Sequence, residues 1–148
     1  MPLPSFTENG DLPLGVHIAS LREVLDRFAV GTVVRKALGT RLERIYQVAQ
    51  ASGHLARFVV FGSFLTDKFD PNDVDIFLLM ENTFDASQVF GEGQLLFDHA
   101  SAQAHFGASV FWLRRLAALE GEQKTIEYWQ VKRGKGQRGI VEIISEVP

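Results

Sequence analysis

Phe58-Val59-Val60-Phe61-Gly62-Ser63, nine further residues, then Asp73-Val74-Asp75-Ile76-Phe77-Leu78-Leu79-Met80 form the centre of the chain. Each apolar run is short, continuous and bounded by turn residues. That pattern predicts two buried strands, at 58–61 and 74–80. Gly62-Ser63 ends the first. Asp70-Pro71-Asn72-Asp73 is a turn signal leading into the second. Residues 64–69 read as a short connection.

Working outward, Ser20 followed by Glu23 is a capping-box pattern. Leu21, Val24, Leu25 and Phe28 then share one helical face, and Gly31 breaks the helix. A second helix carries Val34, Ala37, Leu38, Leu42, Ile45, Val48 and Ala49 on one side. Arg35, Lys36, Arg41, Glu43 and Arg44 are assigned to the other, and Ser52-Gly53 ends it. After the central strands, Asp85 is placed as the cap of a helix through the high eighties and nineties, which Gly91 and Gly93 weaken. Residues 109–113 read as a strand, 115–131 as a helix and 140–144 as a closing strand. Residues 1–15, with Pro2, Pro4, Gly10, Pro13 and Gly15, read as an extended arm. The expected fold is α/β (α+β): one domain over 1–148, a small mixed sheet with helices packed against it.

The chain has 148 residues, and 46% of them are hydrophobic. This is enough for one real core, and it excludes disordered or collagen-like descriptions of the whole. A net charge of −3 argues against a generic DNA-coating or polybasic membrane protein. The absence of cysteine excludes disulfides, thiolate metal sites and cysteine nucleophiles. No apolar run has the length of a signal peptide or a membrane span, so a cytoplasmic location is the expectation. Charge is unevenly spread. Between Asp67 and Asp98, eight acids face Lys68 alone, whereas 114–138 is basic. An acidic centre followed by a basic third suits a cation site beside a phosphate site; two solvated faces are the simpler account.

Asp73 and Asp75 carry the chemistry. On a strand, residues two apart point to one face, with Cα atoms roughly 6.6 Å apart. Two carboxylates so placed can converge on one Mg²⁺, or on two ions roughly 3.5–4 Å apart. Buried without a cation they would repel each other. Gly62 allows close approach of a phosphate, and the Ser63 hydroxyl and following amides can donate to its oxygens. Donors for phosphate beside ligands for metal are what phosphoryl or nucleotidyl transfer requires.

Phe61-Gly62-Ser63, the nine-residue spacer and Asp73-Val74-Asp75-Ile76 resemble the signature of the DNA polymerase β-like nucleotidyltransferase superfamily. That signature is an apolar residue, Gly, Gly or Ser, a spacer, then Asp, apolar, Asp or Glu, apolar. The match covers only 58–80. The short chain is most similar to the minimal bacterial nucleotidyltransferases, including those that act as antitoxin partners. Leu12 to Phe28, Tyr128-Trp129-Gln130 and Arg138-Gly139-Ile140-Val141 also resemble a little-characterised bacterial family of such proteins.

The resemblance implies transfer of a nucleoside monophosphate from an NTP, ATP first among them, to an acceptor hydroxyl. Asp73 and Asp75 would hold Mg²⁺ or Mn²⁺, and Gly62 and Ser63 the triphosphate; apart from the resemblance, Lys68 is a candidate phosphate contact, outweighed by a solvated surface lysine. The acceptor is a protein, an RNA or a small molecule. A dimer mate or a partner chain is expected to complete the cleft, because the chain leaves little room for an acceptor-binding domain. Superfamily catalysts carry a third carboxylate on a later strand. The strand 109–113 has none, so Glu142 is the candidate, with Glu127 behind it. If neither reaches the metals, the alternative is a catalytically silent binding module, for example an antitoxin-like partner protein. Arg114 and Arg115 beside a triphosphate, Lys132, Arg133, Lys135 and Arg138 on RNA, and a metal cluster of Asp98, His99 and His105 are weaker readings. Each is outweighed by solvated or capping roles. Walker A, HExxH and Gly-x-Ser-x-Gly motifs are absent.

Overall fold

A continuous apolar strand must be covered on both faces, and the computed structural model, which describes residues 3–132 and 136–145, does this for the central pair. Strand β2 (Leu55–Phe61) runs antiparallel to β3 (Asp75–Met80), with Val59 opposite Phe77 and Phe61 opposite Asp75. On the far side of β3, β4 (Ser109–Arg114) runs parallel, with Ser109 opposite Asp75 and Arg114 opposite Met80. On the far side of β2, β5 (Ile140–Ile143) runs antiparallel. The fifth strand, β1 (Val16–Ala19), adds parallel to β5. The sheet order is therefore β1-β5-β2-β3-β4.

Alternation divides the side chains between two layers. Phe58, Val60, Ile76, Leu78, Val110 and Val141 point into the main core. There they meet α1 (Leu21–Phe28), α2 (Val33–Ala51), α3 (Glu92–Leu96) and α4 (His99–Phe106). Val59, Phe77, Leu79 and Ile140 face the other way, against Ile126 of α5 (Glu122–Glu127) and Trp129 of the 3₁₀ turn Tyr128–Gln130. The mixed five-stranded sheet with helices packed against it is the expected α/β fold.

The α1 capping box forms as the sequence predicts. The Ser20 hydroxyl accepts from the Glu23 amide, and the Glu23 carboxylate accepts from the Ser20 amide, both at 3.1 Å. Several expectations need correction. Residues 115–131 are not one helix: a 3₁₀ turn at Arg115–Ala117 is followed by a break at Gly121, where φ is +100°, and only then by α5. The apolar spacing is misleading there, since Leu116 and Leu119 are 78% and 91% exposed. Asp85 caps only the 3₁₀ turn Ala86–Gln88. The helical residues beyond form two pieces, and Asp98 starts the second by accepting from the Ser101 amide. The N-terminal arm is packed rather than free, with Leu12 fully buried and followed by β1. In α2 the buried side contains Arg35, while Val34 is exposed.

Candidate functional site

The register brings both halves of the motif to one end of the sheet. Phe61 ends β2 directly opposite Asp75, so Gly62 follows beside the Asp75 carboxylate. Gly62 has φ +88°, and a Cβ there would overlap Asp75 Oδ2. Only glycine satisfies both the turn and the contact. The chain then makes a 3₁₀ turn, Ser63–Leu65, in which the Leu65 amide donates to the Gly62 carbonyl at 3.2 Å. The amides of Ser63 and Phe64 and the Ser63 hydroxyl donate to no acceptor among the described residues. They are the free donors at this corner.

Asp73 lies just before β3 and Asp75 begins it. The Ser109 hydroxyl donates to Asp73 Oδ2 at 3.0 Å and also lies within hydrogen-bonding reach of Asp75. The carboxyl of Asp75 is pushed up to about 7. Burial is the largest cause; the negative charge of Asp73 and a hydrogen bond shared with it add to the rise. Arg138 and Ser109 partly oppose it. The two side chains thus converge, as their spacing implies.

The donor set suits a hard divalent cation. It consists of carboxylate and hydroxyl oxygens, half-buried, with too much negative charge for its surroundings. Mg²⁺ typically takes one or two protein carboxylates together with substrate phosphates, which is what this corner offers. Among the described residues no group of three or more His, Cys, Asp or Glu side chains is placed to hold a metal.

Glu142 does not join the pair, and this corrects the expectation. Strand β5 lies beside β2, not β3, and Glu142 sits opposite Val59. Two inter-strand spacings and two residues separate it from Asp75, roughly 12 Å by sheet geometry. Its carboxylate is held by Arg57, from Nε at 3.0 Å and Nη2 at 2.7 Å. Continuing the register, Ile140 faces Phe61. On the other side, the residue facing Asp75 is Ser109. Glu127 lies at the end of α5, exposed, where it accepts from Gln123. Lys68 has an exposed side chain, and it is its carbonyl that is engaged, by Arg35.

The other sequence candidates are committed elsewhere. Arg114 Nε donates to the Phe84 carbonyl at 2.6 Å, and Arg115 pairs with Glu81 at 3.0 Å, both at the end of the sheet remote from Asp75. Asp98 caps α4, His99 reaches the Val110 carbonyl and His105 pairs with Glu92, so no cluster forms. Lys132 and Arg138 both face Asp11, at 2.8 and 3.6 Å. They tie residues 132 and 138 to the N-terminal arm. Arg133 and Lys135 lie outside the described residues.

Two partners escape sequence reasoning, Asp11 facing Lys132 and Arg138 and Ser109 facing Asp73. Asp11 is buried within a Pro- and Gly-rich arm that shows no periodicity. Ser109 has no signal until the parallel pairing of β4 to β3 is known. A surface cavity of about 750 Å³, lined by Arg44, Val48, His54, Phe84 and Phe90 among others, lies at the opposite end of β3. That is roughly 17 Å along the strand from Asp75. It contains none of the motif residues. Among the described residues no helix is long and apolar enough to cross a membrane.

No curated protein and no solved structure matches the chain. Residues 4–144 match DUF6932, a family of unknown function, and the chain belongs to that family.

Proposed function

We propose that the protein binds a nucleoside triphosphate with Mg²⁺ or Mn²⁺ at the corner formed by Gly62, Ser63, Asp73 and Asp75. The site is of nucleotidyltransferase type. The observation that carries the reading is the meeting of Gly62 with the Asp75 carboxylate, where free amide and hydroxyl donors stand beside a charge-frustrated acid pair. Asp73 and Asp75 hold the cation, which when bound neutralises phosphate charge and relieves the repulsion between the two acids. Ser63 and the amides of Ser63 and Phe64 orient the phosphates. Ser109 fixes the Asp73 carboxylate.

Transfer of the nucleotide to an acceptor hydroxyl is the activity the motif resemblance implies. A specific observation favours the second reading, a binding module without turnover: Ser109 and Ile140 flank the site where a third acid would be needed. A partner chain or dimer mate that supplies a carboxylate and the acceptor would restore the enzyme. Calorimetry of MgATP and MgGTP separates these readings from none at all. Binding by wild type that is lost in Asp73→Asn/Asp75→Asn supports the site. Release of pyrophosphate on adding candidate acceptors separates the enzyme from the binding module. Absence of binding with either metal overturns both.

A further inference from the structure

Arg35 sits in the first turn of α2, where its amide donates to the capping Thr32 hydroxyl at 3.0 Å. Its side chain turns inward, leaving the residue 7% exposed. Each guanidinium nitrogen donates, and every acceptor is a main-chain carbonyl. Nε donates to Lys68 at 3.1 Å; Nη1 to Phe28 at 3.0 Å and Phe64 at 2.8 Å; Nη2 to Thr66 at 2.5 Å and Lys68 at 2.6 Å. Among the described residues no carboxylate bridges it. Asp67 and Asp70 act on it only through their charge, while burial lowers its pKa from the ordinary guanidinium value.

A buried cation is a poor means of stabilising a fold, since apolar side chains of similar volume often serve as well. Its geometry here is specific. Three of the four acceptors, Phe64, Thr66 and Lys68, alternate along the segment that follows Gly62. The peptide planes so held carry the Leu65, Asp67 and Phe69 amides, and the Leu65 amide in turn donates to the Gly62 carbonyl, whose plane carries the free Ser63 amide. The fourth acceptor, Phe28, is the last residue of α1, so the segment is referenced to two helices. The Thr66 hydroxyl adds an internal brace, donating to the Ser63 carbonyl at 2.7 Å.

We infer that Arg35 is a positioning residue of the nucleotide site, clamping residues 64–68 so that Ser63 and the free amides beside it are preset for phosphate. The inference rests on the nucleotide reading above. It separates two functions that a merely structural role would weaken together. Asp73 and Asp75 are placed by β3 and β4, so metal alone should bind without the clamp, whereas the triphosphate should not.

The test compares wild type with Arg35→Lys, which keeps the charge but cannot span four carbonyls with one ammonium. Mn²⁺ and MgATP affinities are measured by calorimetry, and amide hydrogen exchange is followed along the chain. The expected result is Mn²⁺ affinity within about twofold of wild type, with MgATP affinity lower by about tenfold or more. Exchange should be faster at 63–69 and unchanged in β3. Equal MgATP affinity in Arg35→Lys overturns the inference and leaves the nucleotide reading standing. Parallel loss of Mn²⁺ and MgATP binding also overturns it, because it marks a general weakening. Absence of MgATP binding by wild type overturns both. If Arg35→Lys does not fold, Arg35→Gln, which also cannot reach the four carbonyls, takes its place with the same two affinities measured. Unchanged MgATP affinity in that variant overturns the inference, and a selective fall upholds it.

Discussion

Replacing Asp75 with Asn should make the protein more stable at neutral and alkaline pH, even though it destroys the proposed site. The carboxyl of Asp75 titrates near 3.8 in the unfolded chain and is pushed up to about 7 in the native state. Below pH 4 both states hold the proton and the charge makes no difference. Between those values the unfolded chain releases a proton that the native state keeps, so stability falls as pH rises and levels off above about 7. About three pH units at about 1.4 kcal/mol each give a loss of about 4 kcal/mol. The asparagine side chain is nearly isosteric and uncharged, and its amide can donate to Asp73. The assay is urea unfolding of both proteins at pH 4, 6 and 8 in the absence of divalent metal. Taking the difference between the two proteins cancels the titrating groups that do not interact with Asp75, so the gap reports the coupled Asp73–Asp75 pair. Asp75→Asn should gain little at pH 4, and about 4 kcal/mol, or about 10 °C in midpoint, at pH 8. Saturating Mg²⁺ should narrow the gap by stabilising wild type alone. A variant equally stable at pH 8, or a gap that does not change with pH, would refute the idea that the two acids are held together against their repulsion.

Gly62→Ala forces a side chain into a positive-φ position and against Asp75; it should cost at least about 2 kcal/mol in urea unfolding and abolish nucleotide binding. Glu142→Gln breaks the half-buried pair with Arg57 and should cost about 1–3 kcal/mol while leaving MgATP affinity unchanged; a fall in affinity at unchanged stability would return Glu142 to the site. Ser20→Ala removes the α1 capping box and should cost about 1 kcal/mol with no effect on binding.

The parts of the fold that are legible in the sequence are those whose signals are local. The runs 58–61 and 74–80 are continuous because both their faces are covered, and residues 62–63 and 70–73 mark their ends. Ser20 and Glu23 announce α1 in the same way. The signal fails where tertiary partners decide the outcome. Strand β1 is four residues long, and its partner β5 lies at the other end of the sequence, so no period marks it. Leu116 and Leu119 carry helical spacing but face solvent, and Gly121 ends any helix there. Of the site, Gly62, Ser63, Asp73 and Asp75 are visible because strand alternation and a tight turn fix their directions. Glu142 is misplaced because an apolar-acid-apolar triplet gives the face of the sheet but not which strand lies beside which. Arg35 is assigned to a solvated side because a charged residue on an amphipathic helix usually is solvated. Nothing in α2 reveals the four carbonyls that receive it.

The central claim is that a metal–nucleotide complex binds at the Gly62–Asp75 corner. The most direct test is the ¹H–¹⁵N spectrum of the protein titrated with Mg²⁺ and a non-hydrolysable ATP analogue. The account predicts shifts concentrated at Ser63, Phe64, Asp75 and Ser109, dependent on the metal and absent in Asp73→Asn/Asp75→Asn. Shifts gathered instead around Arg44, His54 and Phe84, at the cavity on the opposite end of β3, or no shifts at all, would contradict it.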